Sequence, residues 1–201
     1  MPYILAIDTT GDTGSFALAD GPRLIEEVTL TVTDGFGQVL FGELEKLLAR
    51  HDVAWSDITC FAAAAGPGSF TGVRVGLAAA KGLADAADAK IVAVSNLQAL
   101  AYLGSGDLRA PWMDARRGEI YGALYDSTLR LIQEETVTTY DAWAASLPAG
   151  ALEIPQGPPI ASAIAAIAWQ RMQSGDTQDA AEVDANYVRR SDAELNWRDR
   201  G

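Results

Sequence analysis

Histidine and cysteine are almost absent from this sequence of 201 residues, since each occurs once, as His51 and Cys60. A zinc site of the usual cysteine and histidine type therefore cannot be assembled within the chain, and neither can an internal disulfide. A serine hydrolase would have to use His51 as its base, but the sequence has no Gly-x-Ser-x-Gly motif to supply the nucleophile. The single thiol fits a reducing cytosol, although a cysteine-poor secreted protein would look the same.

Basic residues are also scarce, with 15 Lys and Arg against 27 Asp and Glu, so the formal net charge is −12. Such a surface repels nucleic acid and anionic membranes as a whole. No apolar run approaches the roughly 20 residues of a membrane span. The segment 1–8 has neither a basic flank nor a cleavage pattern, so we expect a cytoplasmic protein without a signal peptide. Local contacts with RNA stay open for the paired basic residues Arg116, Arg117, Arg189 and Arg190.

The order of the apolar segments predicts an α/β fold. Runs rich in β-branched residues predict strands, whereas apolar residues spaced three and four apart predict helices. The spacing is helical from Phe36 onward, and it becomes helical again after a Gly-rich turn at 66–72. The segment 58–65 is apolar without alternation, which is typical of a strand covered on both faces. The helical stripes are Val39, Leu40, Leu44, Leu47 and Leu48, and then Val73, Leu77, Ala80 and Ala84.

The second half of the sequence repeats the pattern of the first. Asp8 and Asp114 each follow a short apolar strand, and in both copies a further Asp closes the return strand. The residues RLIEE at 23–27 are then matched by RLIQE at 130–134. This similarity predicts an internal duplication, although chance similarity between two β-meanders remains an alternative.

We therefore expect two lobes, an N-terminal lobe at 1–105 and a reduced C-terminal lobe at 106–201. After the repeat, the second half offers a short helical run near 140–147, a Pro- and Gly-rich stretch at 148–159 and one further helix. The C-terminal lobe is accordingly the poorer copy.

The turn at 66–72 has two interpretations. Glycines before a helix N-terminus can hold a phosphate. The spacing of the glycines at 66–72, however, matches neither the dinucleotide-binding fingerprint nor the P-loop. The alternative is a tight strand-to-helix connection that Ser69 or Thr71 caps.

Asp8 and Asp114 also have two interpretations. They could belong to the paired phosphate hairpins of a duplicated ATPase, with a metal ion between the lobes. They could instead only initiate turns. In the second copy, Arg116 and Arg117 replace the small hydroxyl residues of the first, which weakens the nucleotide interpretation.

The two helical stripes carry more apolar residues than one sheet face would cover. Phe36 and Phe41 flank the first stripe, and small alanines alternate with larger residues in the second. In a small domain, such an excess indicates burial against another protein.

Several segments resemble the bacterial TsaB family, also called YeaZ. The resemblance covers about the first 126 residues well and the remainder loosely. The specific segment is GPGSFTGVRVGL at 66–77, and the supporting ones are ILAIDTT at 4–10, KGLA at 81–84, VSNL at 94–97 and MDARRGEIY at 113–121.

The resemblance implies a duplicated actin-like, ribonuclease-H-like fold and a role in forming N6-threonylcarbamoyladenosine in tRNA beside the anticodon. In the pathway of this family, TsaD is the catalytic subunit and binds metal through histidines, TsaB is its non-catalytic partner, and TsaE is an ATPase. The lone His51 fits the non-catalytic role. The resemblance thus implies no catalytic, cofactor or metal residues here, and contact with TsaE and tRNA mainly through the complex.

The family also implies where a partner binds. Its first helix and the helix after the Gly-rich turn contact TsaD or a second TsaB copy. Carried over to this sequence, the resemblance implies contacts by Leu40, Leu44, Leu47, Val73, Leu77 and Ala80. We expect Leu44→Arg or Leu77→Glu to break association without unfolding the chain. Two departures are Gly-Phe-Gly-Gln at 35–38, where many members have a His-Ser pair, and the missing Gly-rich loop of the second lobe.

Overall fold

The computed structural model describes residues 2–186 and Val188, which form nine β-strands and five α-helices. The strands are β1 (Tyr3–Asp8), β2 (Thr13–Asp20), β3 (Arg23–Thr31), β4 (Ile58–Ala64), β5 (Lys90–Val94), β6 (Leu108–Asp114), β7 (Glu119–Asp126), β8 (Leu131–Thr139) and β9 (Leu152–Pro155). The helices are α1 (Leu40–Ala49), α2 (Phe70–Ala87), α3 (Asn96–Leu103), α4 (Tyr140–Ser146) and α5 (Ala161–Ser174). Short 3-10 helices span Phe36–Gln38 and Trp55–Asp57.

The first sheet has five strands in the order β3-β2-β1-β4-β5. Tight turns join β1 to β2 and β2 to β3, so these pairs are antiparallel. The connections to β4 and to β5 each contain a helix, so these strands run parallel to β1. An antiparallel three-stranded unit followed by parallel strands is the ribonuclease-H-like arrangement that the resemblance to TsaB implied.

Helices cover both faces of the first sheet, and the two-residue period of each strand divides its side chains between them. In β1, Leu5 and Ile7 pack on the side of α1 and α2, whereas Ile4 and Ala6 pack on the side of α3 and α5. Adjacent residues of β4 divide in the same way, with Phe61 on one side and Cys60 and Ala62 on the other. The prediction that this strand is buried on both faces is therefore confirmed.

The second sheet repeats the first with one strand fewer, in the order β8-β7-β6-β9. The pairs β6–β7 and β7–β8 are antiparallel and β9 runs parallel to β6, as β4 does to β1. The duplicated α/β fold with two mixed sheets is therefore confirmed. Helix α4 covers the outside of this sheet with Trp143, which is 1% exposed.

Strand β9 was not predicted, because it lies in the Pro- and Gly-rich stretch 148–159. It has only four residues, and its last residue is Pro155. A proline has no N–H for the ladder, but an edge strand tolerates it. The first helix also begins later than Phe36, since a 3-10 turn precedes α1.

Helix α5 packs back on the first sheet, although it follows the second sheet in the sequence. Its buried residues share one core with β1, β4 and α3, and Met113 and Tyr125 of the second sheet join the same core. The expected lobe boundary near residue 105 stays a prediction. Every helix of the described residues is too short or too polar to cross a membrane, and the cytoplasmic localisation also stays a prediction.

Candidate functional site

A small cleft lies beside the carboxyl end of β1, where the two sheets approach each other. Its volume is about 140 Å³. Asp8 and Thr10 line one side, Asn96 and Met113 line another, and Ile160 closes it at the start of α5. The cleft is therefore where a ligand between the lobes would bind.

Asp8 is held by the turn that follows it. Its Oδ1 accepts hydrogen bonds from Thr10 N at 2.9 Å and from Thr10 Oγ1 at 2.6 Å. Asn96 Nδ2 donates to Thr10 Oγ1 at 2.6 Å, and Asn96 Oδ1 accepts from Gly66 N at 3.0 Å. Burial raises the pKa of Asp8 and the bonds from Thr10 lower it, with a net rise. Asp8 thus initiates a closed turn that Asn96 links to the Gly66 loop.

The N-terminus of α5 is occupied by side chains of the first sheet. Ala161 N donates to Ser15 Oγ at 3.0 Å, and Ser162 N donates to Glu27 Oε1 at 2.9 Å. A carboxylate of the chain therefore takes the position where a free helix N-terminus would attract a phosphate.

Asp114 does not match Asp8 in environment. It is exposed, and its Oδ1 accepts from Arg116 N at 2.8 Å, so it initiates the turn between β6 and β7. Within the described residues, no group of three or more His, Cys, Asp or Glu side chains is arranged for a metal ion. Pockets for drug-sized ligands and cofactors are about 300 Å³ or larger, so this cleft is small for a nucleotide. The hydrogen bonds that Asp8 and Asp114 accept within their own turns fit the turn interpretation of both aspartates.

The loop at Gly66 is filled by the chain itself. Ser69 caps α2 and accepts from Gly72 N at 3.3 Å, and Ser69 N donates to Thr10 O at 2.7 Å. A Cβ at Gly72 would lie 2.0 Å from Thr9 O, so only glycine allows this approach. The prediction of a tight, capped strand-to-helix connection is confirmed, with Ser69 as the cap.

His51 and Cys60 are not arranged as a catalytic pair. His51 Nε2 lies 2.6 Å from Glu26 Oε2, and Arg50 also binds this carboxylate. The Arg50 hydrogen bond, with a further one from His51, lowers the pKa of Glu26. Cys60 is buried inside β4, and burial raises its pKa to about 12. His51 therefore contacts a carboxylate on the surface, and Cys60 is a core thiol of β4.

The six residues predicted as partner contacts are core residues of the chain. Their exposed fractions lie between 0% and 5%, because they pack between the helices and the first sheet. The assignment of these side chains to a partner surface is therefore corrected, since buried side chains cannot touch a second protein. They are Leu40, Leu44, Leu47, Val73, Leu77 and Ala80.

The opposite sides of α1 and α2 are exposed, and we call them the outer face. Phe41 is 53% exposed and Phe70 is 45% exposed, which is high for residues of this size. The Arg74 guanidinium lies 3.7 Å from the centroid of the Phe70 ring. The outer face consists of Phe41, Gly42, Glu45 and Ala49 on α1 and of Phe70, Arg74, Ala78, Gly82 and Ala86 on α2.

Two glycines of the outer face have no packing role within the described structure. A Cβ added at Gly42 or Gly82 would meet nothing within 4 Å. A glycine inside an exposed helix destabilises it by about 1 kcal/mol relative to alanine. The sequence pattern indicated Phe41 but not the rest of the outer face, because the apolar stripe of each helix marks only its core side. The four-residue spacing of Phe70, Arg74, Ala78 and Gly82 was the available signal.

The paired arginines lie at different places. Arg116 and Arg117 are exposed in the turn between β6 and β7, where both have left-handed backbone angles, with φ of 65° and 57°. Arg189 and Arg190 lie outside the described residues. Contacts of these arginines with RNA stay a prediction.

Comparison with known proteins identifies relatives for most of the chain. The family model TsaD, described as tRNA N6-adenosine threonylcarbamoyltransferase, matches residues 34–179. A Bacillus subtilis protein named tRNA threonylcarbamoyladenosine biosynthesis protein TsaB is 38% identical over 133 residues, which cover 65% of this chain and 58% of that protein. The Escherichia coli protein of the same name is 35% identical over 126 residues, covering 61% and 54%. The match thus spans little more than half the length of these relatives.

Solved structures agree with this relationship. YeaZ from Pseudomonas aeruginosa superimposes with a TM-score of 0.79 at 26% identity, covering 93% of this chain and all of that one. A Pseudomonas aeruginosa protein described as similar to the peptidase YeaZ gives a TM-score of 0.80 at 25% identity, covering 94% of this chain. The resemblance to TsaB noted in the sequence is confirmed. The chain belongs to the TsaD family, and within it the chain is similar to proteins named TsaB.

Proposed function

We propose that this chain is a non-catalytic subunit in the biosynthesis of threonylcarbamoyladenosine in tRNA, and that it binds and supports a TsaD-type catalytic partner. The names of its relatives support the pathway. The observation that carries the subunit role is the outer face of α1 and α2, with its exposed Phe41 and Phe70. A second copy of the chain could use the same face, and a TsaE-type ATPase would join through the complex.

The composition of the outer face supports a helix-packing contact. Small residues allow two helix backbones to approach closely, and exposed aromatic side chains supply most of the apolar area that a partner can bury. Ala78 and Gly82 lie between the Phe70 end of α2 and its C-terminal end. A glycine that weakens the isolated helix, and whose added Cβ would meet nothing within the described structure, is explained if a partner helix approaches it.

The cleft beside Asp8 supports the non-catalytic part of the proposal. Asp8 Oδ1 accepts two hydrogen bonds within its own turn, and the N-terminus of α5 is capped by Ser15 and Glu27. His51 Nε2 lies 2.6 Å from the Glu26 carboxylate. A hydrolase or sugar-kinase-like ATPase using Asp8 and Asp114 is therefore the less favoured function.

Reconstitution of tRNA modification tests this function. A TsaD-type protein, a TsaE-type protein and a source of threonylcarbamoyl groups would be incubated with tRNA, with and without this chain. We expect modified adenosine to form only when the chain is present. Asp8→Asn retains the hydrogen-bond acceptor of the turn but removes the charge that catalysis or metal binding would require, so this variant should support the wild-type rate.

The matched control for Asp8→Asn is Asp114→Asn, which changes the exposed aspartate of the second copy in the same way. Wild-type rates for both variants would support the scaffold function. Loss of modification with Asp8→Asn, together with loss of ATP binding by the isolated chain in calorimetry, would contradict it and favour the ATPase.

A further inference from the structure

Residues 176–186 follow α5 and run back along the first sheet, and we call them the C-terminal strap. Arg171, near the end of α5, anchors its start. The Arg171 guanidinium donates to Ala93 O at 2.7 Å and to Gln98 Oε1 at 2.7 Å, and its Nε lies 3.8 Å from the Asp176 carboxylate. The chain therefore enters the strap already fixed to β5 and α3.

The strap covers the outer edge of β5. Gln178 N donates to Ile91 O at 3.1 Å, and Gln178 Oε1 accepts from Ala93 N at 3.1 Å. One residue thus satisfies a carbonyl and an amide that the edge strand would otherwise leave without a ladder partner. The backbone and side chain of Gln178 thus form an isolated antiparallel bridge to the edge strand β5.

The middle of the strap packs on α2. Val183 is 3% exposed and belongs to the core of α1, α2 and the first sheet. Lys81 Nζ donates to Val183 O at 2.8 Å, so the lysine of α2 holds the strap backbone from the helix side. Burial of an apolar side chain and a bond to a charged donor both oppose detachment of this segment.

The end of the strap joins three parts of the molecule at Asn186. Its backbone N donates to Ala65 O at 2.8 Å, which fixes the loop that begins α2. Its Nδ2 donates to Glu135 Oε2 at 2.6 Å, and Glu135 lies on β8 of the second sheet. Glu135 Oε1 accepts from Tyr125 OH at 2.7 Å and from Ser95 Oγ. The Glu135 carboxylate thus contacts Ser95 at the junction of β5 and α3, Tyr125 on β7 and Asn186 in the strap.

We propose that the C-terminal strap couples the two sheets to the loop at Gly66, so that the Asn186–Glu135 bond sets how firmly the beginning of α2 is held. One consequence rests on the proposed function: because α2 carries the outer face, loosening the strap also weakens partner binding. The strap itself is a property of this chain alone and does not require the partner.

Hydrogen exchange measured by mass spectrometry tests the coupling in the full chain. Asn186→Asp places a second carboxylate against Glu135 and removes the donor. At pH 8 we expect the amide exchange rates of peptides covering 60–72 and 88–98 to rise about tenfold or more. The variant loses the hydrogen bond to the Glu135 carboxylate and adds repulsion between two carboxylates.

A reversed pair provides the rescue. Glu135→Gln combined with Asn186→Asp restores one donor and one acceptor, and exchange should return to within about threefold of wild type. Gln173→Glu is the matched control, because it adds the same charge at an exposed position of α5 and should change nothing. Asn186→Ala removes the bond without adding charge, so it should raise the exchange rates by a smaller factor. It replaces Asn186→Asp in the test if that variant folds poorly.

Unchanged exchange in both Asn186 variants, or acceleration that the reversed pair does not restore, would overturn the coupling. Affinity of the same variants for a TsaD-type protein is measured in parallel. If the wild-type chain fails to bind that protein, the proposed function fails, whereas the exchange data still decide the role of the strap.

Discussion

Leu44 lies on the core side of α1, and Phe41, three residues earlier, lies on its outer face. Leu44 is fully buried, whereas Phe41 is 53% exposed. We expect Leu44→Ala to lower the free energy of unfolding by about 3 kcal/mol, because buried leucines replaced by alanine lose apolar burial and leave a cavity. Phe41→Ala should change it by less than about 1 kcal/mol, since much of that side chain is already in water.

Urea denaturation followed by tryptophan fluorescence measures both variants, because the chain contains 5 tryptophans. A loss of 3 kcal/mol corresponds to a fall in the melting temperature of about 6–12 °C for a chain of this size. Leu44→Arg should not fold, since it would place an unpaired charge in the core. This corrects the expectation that Leu44→Arg or Leu77→Glu breaks association and leaves the fold intact. A Leu44→Arg variant with wild-type stability would refute the assignment of the helix faces.

Three further predictions concern other parts of the chain. Asp8→Asn should stabilise the chain at pH 7 in urea titrations, because burial raises the pKa of the carboxyl above its unfolded value of 3.8; the gain should vanish as the pH falls to that value. Gly72→Ala should destabilise α2 by about 3 kcal/mol, the upper range for overpacking, because its Cβ would clash with Thr9 O. Gly82→Ala should stabilise α2 by about 1 kcal/mol in the same urea titrations, because a Cβ there meets nothing within 4 Å. Cys60 should react with a thiol reagent only at the rate of unfolding, and fast labelling of the native chain would contradict its burial.

The fold was predictable where local patterns and the repeat agreed. The RLIEE and RLIQE segments placed β3 and β8 at corresponding positions of two sheets, and an uninterrupted apolar run identified β4. Strand β9 was not predictable in this way, since four residues among prolines and glycines carry no periodic signal. Its partner β6 lies far away in sequence and determines its conformation.

The candidate site was predictable only in part, because an apolar stripe does not reveal what covers it. Leu40 and Leu44 would look the same facing a sheet of the same chain or a second protein. The sheet order decides this, since β1 and β4 supply a continuous apolar surface beneath α1 and α2. The sequence shows a glycine at position 82, but only the structure shows that an added Cβ there would meet no neighbouring atom.

The central claim is that the outer face of α1 and α2 binds a TsaD-type partner, and one pair of variants tests it most directly. Ala78→Glu places a charge in the middle of the outer face, and Ala142→Glu makes the same change at an exposed alanine of α4. Titration calorimetry with the purified TsaD-type protein should show at least about a tenfold loss of affinity for Ala78→Glu, as burying an unpaired charge in an interface predicts, and wild-type affinity for Ala142→Glu. Equal affinity of both variants and the wild-type chain would contradict the account.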